Sequence, residues 1–140
     1  MKKISMPFFH LNIEIEFDFQ LVGITCHEKD YRLAWALNRA MQWGFEKCDD
    51  IITDTSGTAF PRFVYRCQED ETVHWLCANR SGIDFLVPEI PHYDYLLKIE
   101  NMGEESGDDF YRELRTVPLV IAAYPIIVDK LKSKQNLVWS

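Results

Sequence analysis

The most regular stretch of the chain runs from residue 11 to residue 21. Leu11, Ile13, Ile15, Phe17, Phe19 and Leu21 are apolar, and Asn12, Glu14, Glu16, Asp18 and Gln20 alternate with them. A period of two predicts a strand with one buried and one wet face. The sheet it belongs to is then covered on a single side, as antiparallel and mixed sheets allow. The period changes next. Thr25-Cys26-His27-Glu28 has the form of a capping box, in which the Thr25 hydroxyl accepts from the Glu28 N–H and the Glu28 carboxylate reaches back. It predicts a helix from Cys26 to Phe45. At about 100° per residue, Leu33, Ala34, Leu37, Ala40, Met41 and Gly44 share one face, which packs on the sheet.

Residues 46–59 read as a connection with a short extended piece at Ile51-Ile52. Two alternating runs follow, Phe63, Tyr65, Cys67 and Val73, Trp75, Cys77, joined by the polar tip Gln68 to Thr72. They predict a hairpin in which Cys67 faces Val73, Tyr65 faces Trp75 and Phe63 faces Cys77. That register sets Cys67 and Cys77 roughly 13 Å apart, too far for a disulfide. Asn79 to Gly82 reads as a turn, Val87 to Pro91 as extended chain stiffened by its prolines, and Tyr93 to Glu100 as a strand. Ser106-Gly107-Asp108-Asp109 caps a short helix with Phe110, Leu114 and Val117 inward. Pro118 ends it, and Leu119 to Ala123 begins a buried strand. The order strand, helix, hairpin, strand, helix, strand predicts an α+β protein. Its predicted form is a ferredoxin-like sandwich with an extra hairpin, two helices lying on one face of a mainly antiparallel sheet. Residues 1–128 form the single domain, and residues 129–140, with Lys130, Lys132 and Lys134, a basic, half-ordered tail.

Composition narrows the function. The chain of 140 residues is 47% hydrophobic, enough for a core without disulfide or metal. Fifteen Lys and Arg against 22 Asp and Glu leave a net charge of −7, which argues against nucleic acid and against an anionic membrane surface. Glu14, Glu16 and Asp18 interrupt any leader-like apolar run after Met1-Lys2-Lys3. The apolar run from Val117 to Val128 is broken by Pro118 and Pro125 and too short to span a bilayer. The expectation is a cytoplasmic protein. Cys26, Cys48, Cys67 and Cys77 lack the spacing of a zinc or thioredoxin-type site and read as small buried hydrophobes.

No Gly-rich phosphate loop, HExxH or GxSxG occurs. Cys26 beside His27 is a nucleophile pair only if the thiol ionises at a helix start. The acidic groups Glu14/Glu16/Asp18, Glu69-Asp70-Glu71, Glu104-Glu105 and Asp108-Asp109 read as solvated faces or helix-start charges rather than metal sites. Glu89, His92 and Asp94, between and after Pro88 and Pro91, allow two readings: a general-base cluster, or a rigid crossover in which Glu89 or Asp94 binds backbone or an arginine. The outer face of the first helix carries Arg32, Trp35, Arg39 and Trp43 within about 80°, with Tyr31 and Gln42 at its margin. Such residues are enriched at binding hot spots. The competing reading folds Trp43 under the hairpin and stacks the arginines on the indoles.

Val87-Pro88-Glu89-Ile90-Pro91-His92-Tyr93-Asp94-Tyr95 resembles the signature of the IPExxxVDY family of Bacteroidetes bacteria. Pro88, Glu89, Asp94 and Tyr95 match, while Val87 replaces the Ile and Tyr93 the Val of the motif. Lys29 to Leu33 and Leu131 to Leu137 also resemble that family, which implies no activity. Residues 94–124 are similar to the strand–helix–strand half of Lrp-type and ACT ligand-sensing domains, which implies a ferredoxin-like core binding small molecules at oligomer interfaces. The leading expectation is a non-catalytic interaction or adaptor module that meets a protein partner through Tyr31, Arg32, Trp35 and Arg39, without cofactor or metal. The alternatives are a small-ligand sensor, dimeric through an exposed strand, and a small enzyme using Glu89, His92 and Asp94.

Overall fold

The computed structural model describes residues 18–53, 56–102 and 107–139. The elements in chain order are β1 (Phe19–Thr25), α1 (Asp30–Met41), β2 (Glu46–Ile52), β3 (Ala59–Cys67), β4 (Thr72–Ala78), the two-residue strands β5 (Arg80–Ser81) and β6 (Asp84–Phe85), β7 (Tyr95–Glu100), α2 (Asp108–Arg115) and β8 (Ala122–Ile126). Two 3-10 turns, Val128–Lys130 and Lys134–Leu137, follow. The main sheet has six strands in the order β2-β3-β4-β7-β1-β8, and every neighbouring pair is antiparallel. The protein is thus α+β, with two helices and an antiparallel sheet. β7 and β8 run the same way with β1 between them and α2 linking them. α1 carries the chain from β1 to the far edge, past three strands.

Both helices pack on one face. Leu33, Ala34, Ala36 and Leu37 of α1 and Leu114 of α2 join Val22, Ile24, Leu76, Leu97 and Ile99 of the sheet in one core. The predicted short helix is present, with Leu114 and Val117 buried and Phe110 packed against them. α1 is shorter than predicted at both ends. Thr25 continues β1, pairing with Ala122, and its hydroxyl donates to His92 O, so no capping box forms. Gln42, in the left-handed region at φ 60°, ends the helix. The Asn38 amide then grips Phe45, accepting from its N–H at 2.8 Å and donating to its carbonyl at 3.3 Å, which drives Phe45 into the core. Ala40 and Gly44, predicted inward, are exposed.

The opposite face is covered too, against the expectation of a wet side. Leu21, Phe60, Cys77 and Leu96 point there and are sealed by Leu86 and Val87 from the segment before β7, and by Val128, Leu131 and Leu137 from the C-terminal segment. Residues 129–139, read as a basic, half-ordered tail, therefore form part of the packing. Lys98 of β7, only 3% exposed, anchors them: its ammonium donates to Leu137 O and Trp139 O, both at 2.8 Å. Burial pushes that ammonium below its ordinary value, against the pull of Glu100. Residues 11–17 of the predicted first strand, Glu14 and Glu16 with them, lie outside the described residues.

The hairpin exists, but its register is one residue away from the predicted one. Cys67 pairs with Thr72, Tyr65 with His74, Val64 with Trp75 and Phe63 with Leu76. A single-residue slip turns every side chain of one strand to the other face. Tyr65 and His74 therefore share the helix side, while Trp75 and Cys77 face the other. All four cysteines are free thiols: Cys26 and Cys77 are buried, Cys48 and Cys67 half-buried. Residues 46–52, read as a connection, form the edge strand β2.

Candidate functional site

The segment from Leu86 to Asp94 works as a strap between β4 and β7. Asn79, fully buried, is its hub. Asn79 Oδ1 accepts from Val87 N at 2.8 Å, and Nδ2 donates to Tyr93 O at 2.9 Å and Ile90 O at 3.1 Å. The Asn79 main chain adds bonds to Asp94 O and from Leu86 N. Residues 87–91, predicted extended, instead make turns: Ile90 N donates to Val87 O and Tyr93 N to Ile90 O, both at 3.2 Å, with Pro88 exposed at the first bend, where its fixed φ suits a turn. The Glu89 carboxylate accepts from Ser133 N at 2.7 Å and Ser133 Oγ at 2.9 Å, tying the strap to the C-terminal segment. Burial would raise this carboxyl, but the Ser133 and backbone hydrogen bonds outweigh it and hold it below the usual value. The Asp94 carboxylate accepts from Cys26 N at 3.0 Å and pairs with Arg80 at 2.6 Å. The Tyr95 hydroxyl donates to Glu28 O at 2.6 Å, and the Tyr93 ring lies directly against Gly23.

Glu89, His92 and Asp94 are thus not brought together. Glu89 turns to Ser133, Asp94 to Cys26 and Arg80, and His92 is exposed beside the Tyr93 ring at 4.3 Å. The rigid crossover is the reading this geometry favours, with Glu89 on a main-chain N–H and Asp94 on both a main-chain N–H and an arginine. Cys26 and His27 line a shallow cleft of about 370 Å³ with Glu28, Arg80, Asp94 and Tyr95. Burial raises the Cys26 thiol, so it is not the activated thiolate that a nucleophile requires.

The outer face of α1 is open. Tyr31 is 60% and Trp35 61% exposed. The Arg39 guanidinium sits 5.1 Å over the Trp35 ring, and Arg32 pairs with Glu28 at 2.9 Å one turn back. Arg39 makes no ion pair among the described residues. Trp43 leaves this face, as the competing reading had it. Beyond the helix end it turns inward and meets His74 at 4.5 Å, Phe45 at 5.8 Å, and Tyr65 and Phe110 at 6.3 Å.

That cluster walls a third place, unmarked by the sequence pattern: a cleft of about 350 Å³ lined by Trp43, Tyr65, Phe110, His74, Thr72 and Asp70, among others. His74 is 7% exposed, and burial pushes its imidazole down to about 4 against the upward pull of Asp70. His74 Nδ1 and Thr72 Oγ1 are buried without a hydrogen-bond partner. The sequence reading hid this cleft twice, by extending α1 through Trp43 and by slipping the hairpin so that His74 pointed away from Tyr65. No glycine marks the break: the helix ends at Gln42 itself, in the left-handed region, two residues before Gly44.

Among the described residues, no group of three His, Cys, Asp or Glu side chains could hold a metal ion, and no helix is long and apolar enough to cross a membrane. No family model matches the chain, and no curated protein or solved structure matches it either.

Proposed function

We propose that the protein is a non-catalytic interaction module of the cytoplasm that docks an acidic segment of a partner protein on the outer face of α1. The observation that carries this reading is Trp35, a large aromatic side chain left mostly in solvent with a guanidinium stacked on it. Burying such a pair against a partner recovers apolar area and offers charge-assisted hydrogen bonds. Charge sets the occupant. On a chain of net charge −7, Arg39 is a cation in no ion pair among the described residues, beside two open aromatic rings. A segment with one or two carboxylates next to a proline or aliphatic residue complements it.

The same proposal takes the chain as a member of the IPExxxVDY family, with Pro88, Glu89, Asp94 and Tyr95 as the elements that close the fold rather than contact the partner. It takes the fold as ferredoxin-like, a reading supported by the β7–α2–β8 unit that brackets β1. The test is selection of binders from a displayed peptide library, followed by affinity measurement on wild type, Trp35→Ala and Arg39→Glu. Acidic binders that weaken by roughly tenfold or more in both variants, and weaken with added salt, support the proposal. Binders whose affinity survives both substitutions, or a second copy of the chain as the occupant of this face, overturn it.

A further inference from the structure

We propose that the cleft between α1, the β3–β4 hairpin and α2 is a binding site for a small organic cation, a protonated or methylated amine. The first argument is the wall. Trp43, Tyr65 and Phe110 line the cleft and are each only half-buried, so their rings remain partly open. Trp43 and Tyr65 are inclined by only 24°, and Trp43 and Phe110 by 34°. Aromatic faces carry the negative part of the ring quadrupole, and a cation near several of them is attracted by each.

The second argument is charge. Among the described residues, no Lys or Arg lines the cleft, and the one carboxylate that does is Asp70. Asp70 lies in the Glu69-Asp70-Glu71 tip, and the charges of Asp70 and Glu69 also reach Tyr65. They add to a hydrogen bond with Cys67 and to burial in raising its phenol. His74 adds no positive charge near neutral pH, since burial keeps its imidazole uncharged. An anion would meet nothing that welcomes it, and a zwitterionic amino acid would find no partner for its carboxylate. A cation meets Asp70 and three rings.

The third argument is the pair of orphaned polar atoms. His74 Nδ1 and Thr72 Oγ1 have no hydrogen-bond partner among the described residues, although both belong to residues lining this cleft. Leaving such groups buried and unpaired is unfavourable. Both atoms are closed off, so a ligand reaches them only when the side chain turns toward the cleft; a protonated amine or the choline hydroxyl can then donate to them, while tetramethylammonium, which has no N–H, is held by the rings and Asp70 alone. The volume, about 350 Å³, is at the small end of ligand sites and suits a molecule of a few heavy atoms.

The experiment uses choline and tetramethylammonium as probes, with 3,3-dimethylbutan-1-ol as the uncharged analogue of choline, and follows the full chain by two-dimensional NMR. The expected result is saturable shifts confined to Trp43, Tyr65, Thr72, His74 and Phe110 with both cations, and affinity for the alcohol weaker by roughly tenfold. Asp70→Asn, an exposed change that leaves the core untouched, is expected to weaken choline by roughly tenfold. Trp35→Ala is expected to leave it unchanged, which separates this site from the α1 face. Absence of localised shifts at millimolar probe, or equal affinity for choline and the alcohol, overturns the proposal.

Discussion

Lowering the pH from 6.5 towards 4 should cost this protein stability through His74. Its imidazole is held at about 4 against an ordinary 6.5, because the ring is buried among Trp43, Phe45 and Tyr65. Asp70, the charged group acting on it, pulls the value up but does not offset burial. Between those two pH values the unfolded chain takes up the proton and the folded chain resists it. This contribution to stability is therefore complete above the upper value, declines as pH falls, and is spent below the lower one. At about 1.4 kcal/mol per pH unit the window is worth about 3 kcal/mol, a large share of the roughly 5–15 kcal/mol that holds a domain together. The assay is urea denaturation across this range for wild type and His74→Phe, which keeps an aromatic ring and removes the titration. Acid losses from carboxylates appear in both proteins and cancel in the difference. Wild type should lose about 3 kcal/mol more than the variant. Parallel pH curves, or an NMR titration showing His74 already protonated in the folded protein near pH 6, would refute the reasoning.

Three further outcomes follow from the packing. Asn79→Leu, close in size, leaves Val87 N–H and the carbonyls of Ile90 and Tyr93 without their partner, and should cost at least about 3 kcal/mol in chemical denaturation. Gly23→Ala places a β-carbon 2.4 Å from Tyr93 Cδ2 and should cost about 1–3 kcal/mol, recovered in part when combined with Tyr93→Ala. Lys98→Ala orphans the Leu137 and Trp139 carbonyls and opens a hole beneath them. It should cost about 3 kcal/mol or more and make the C-terminal segment sensitive to limited proteolysis.

Which features could be read in advance follows from how many faces each segment buries. α2 was legible because Phe110, Leu114 and Val117 recur at helical spacing over an otherwise polar helix. The α1 core was legible at Leu33, Ala34 and Leu37 for the same reason, but its ends were not. The Thr25 hydroxyl is taken by His92 O, across the sheet, and a tertiary bond of that kind leaves no local mark. The hairpin register failed because Trp75, Leu76 and Cys77 are all buried, so period two cannot tell the faces apart. β2 was missed because an edge strand tolerates Glu46, Lys47, Asp49 and Asp50, charges that guard an open edge and look like a loop. The covered second face was missed because its lid has no period at all. Leu86, Val87, Leu131 and Leu137 come from irregular chain held by Asn79, Glu89 and Lys98.

At the candidate surface, Tyr31, Trp35 and Arg39 could be read from the helical wheel, and the structure leaves them exposed. Trp43 had two readings, on this face or folded under the hairpin, and the helix end at Gln42 turns it inward as the second one had it. Three polar side chains of this motif have partners within the fold: Glu89 with Ser133, Asp94 with Cys26 and Arg80, Tyr95 with Glu28. A motif can thus be prominent because it closes a sheet, while the surface free to act lies elsewhere.

The most direct test of that division is a double-mutant cycle between Arg39 and the carboxylate of a selected acidic peptide, using Arg39→Gln and the matching Glu→Gln or Asp→Asn change in the peptide. If the guanidinium over Trp35 meets the partner, the two losses should couple by about 1 kcal/mol or more, and Trp35→Ala should abolish the coupling. Strictly additive losses would contradict the assignment of this helix face as the docking surface.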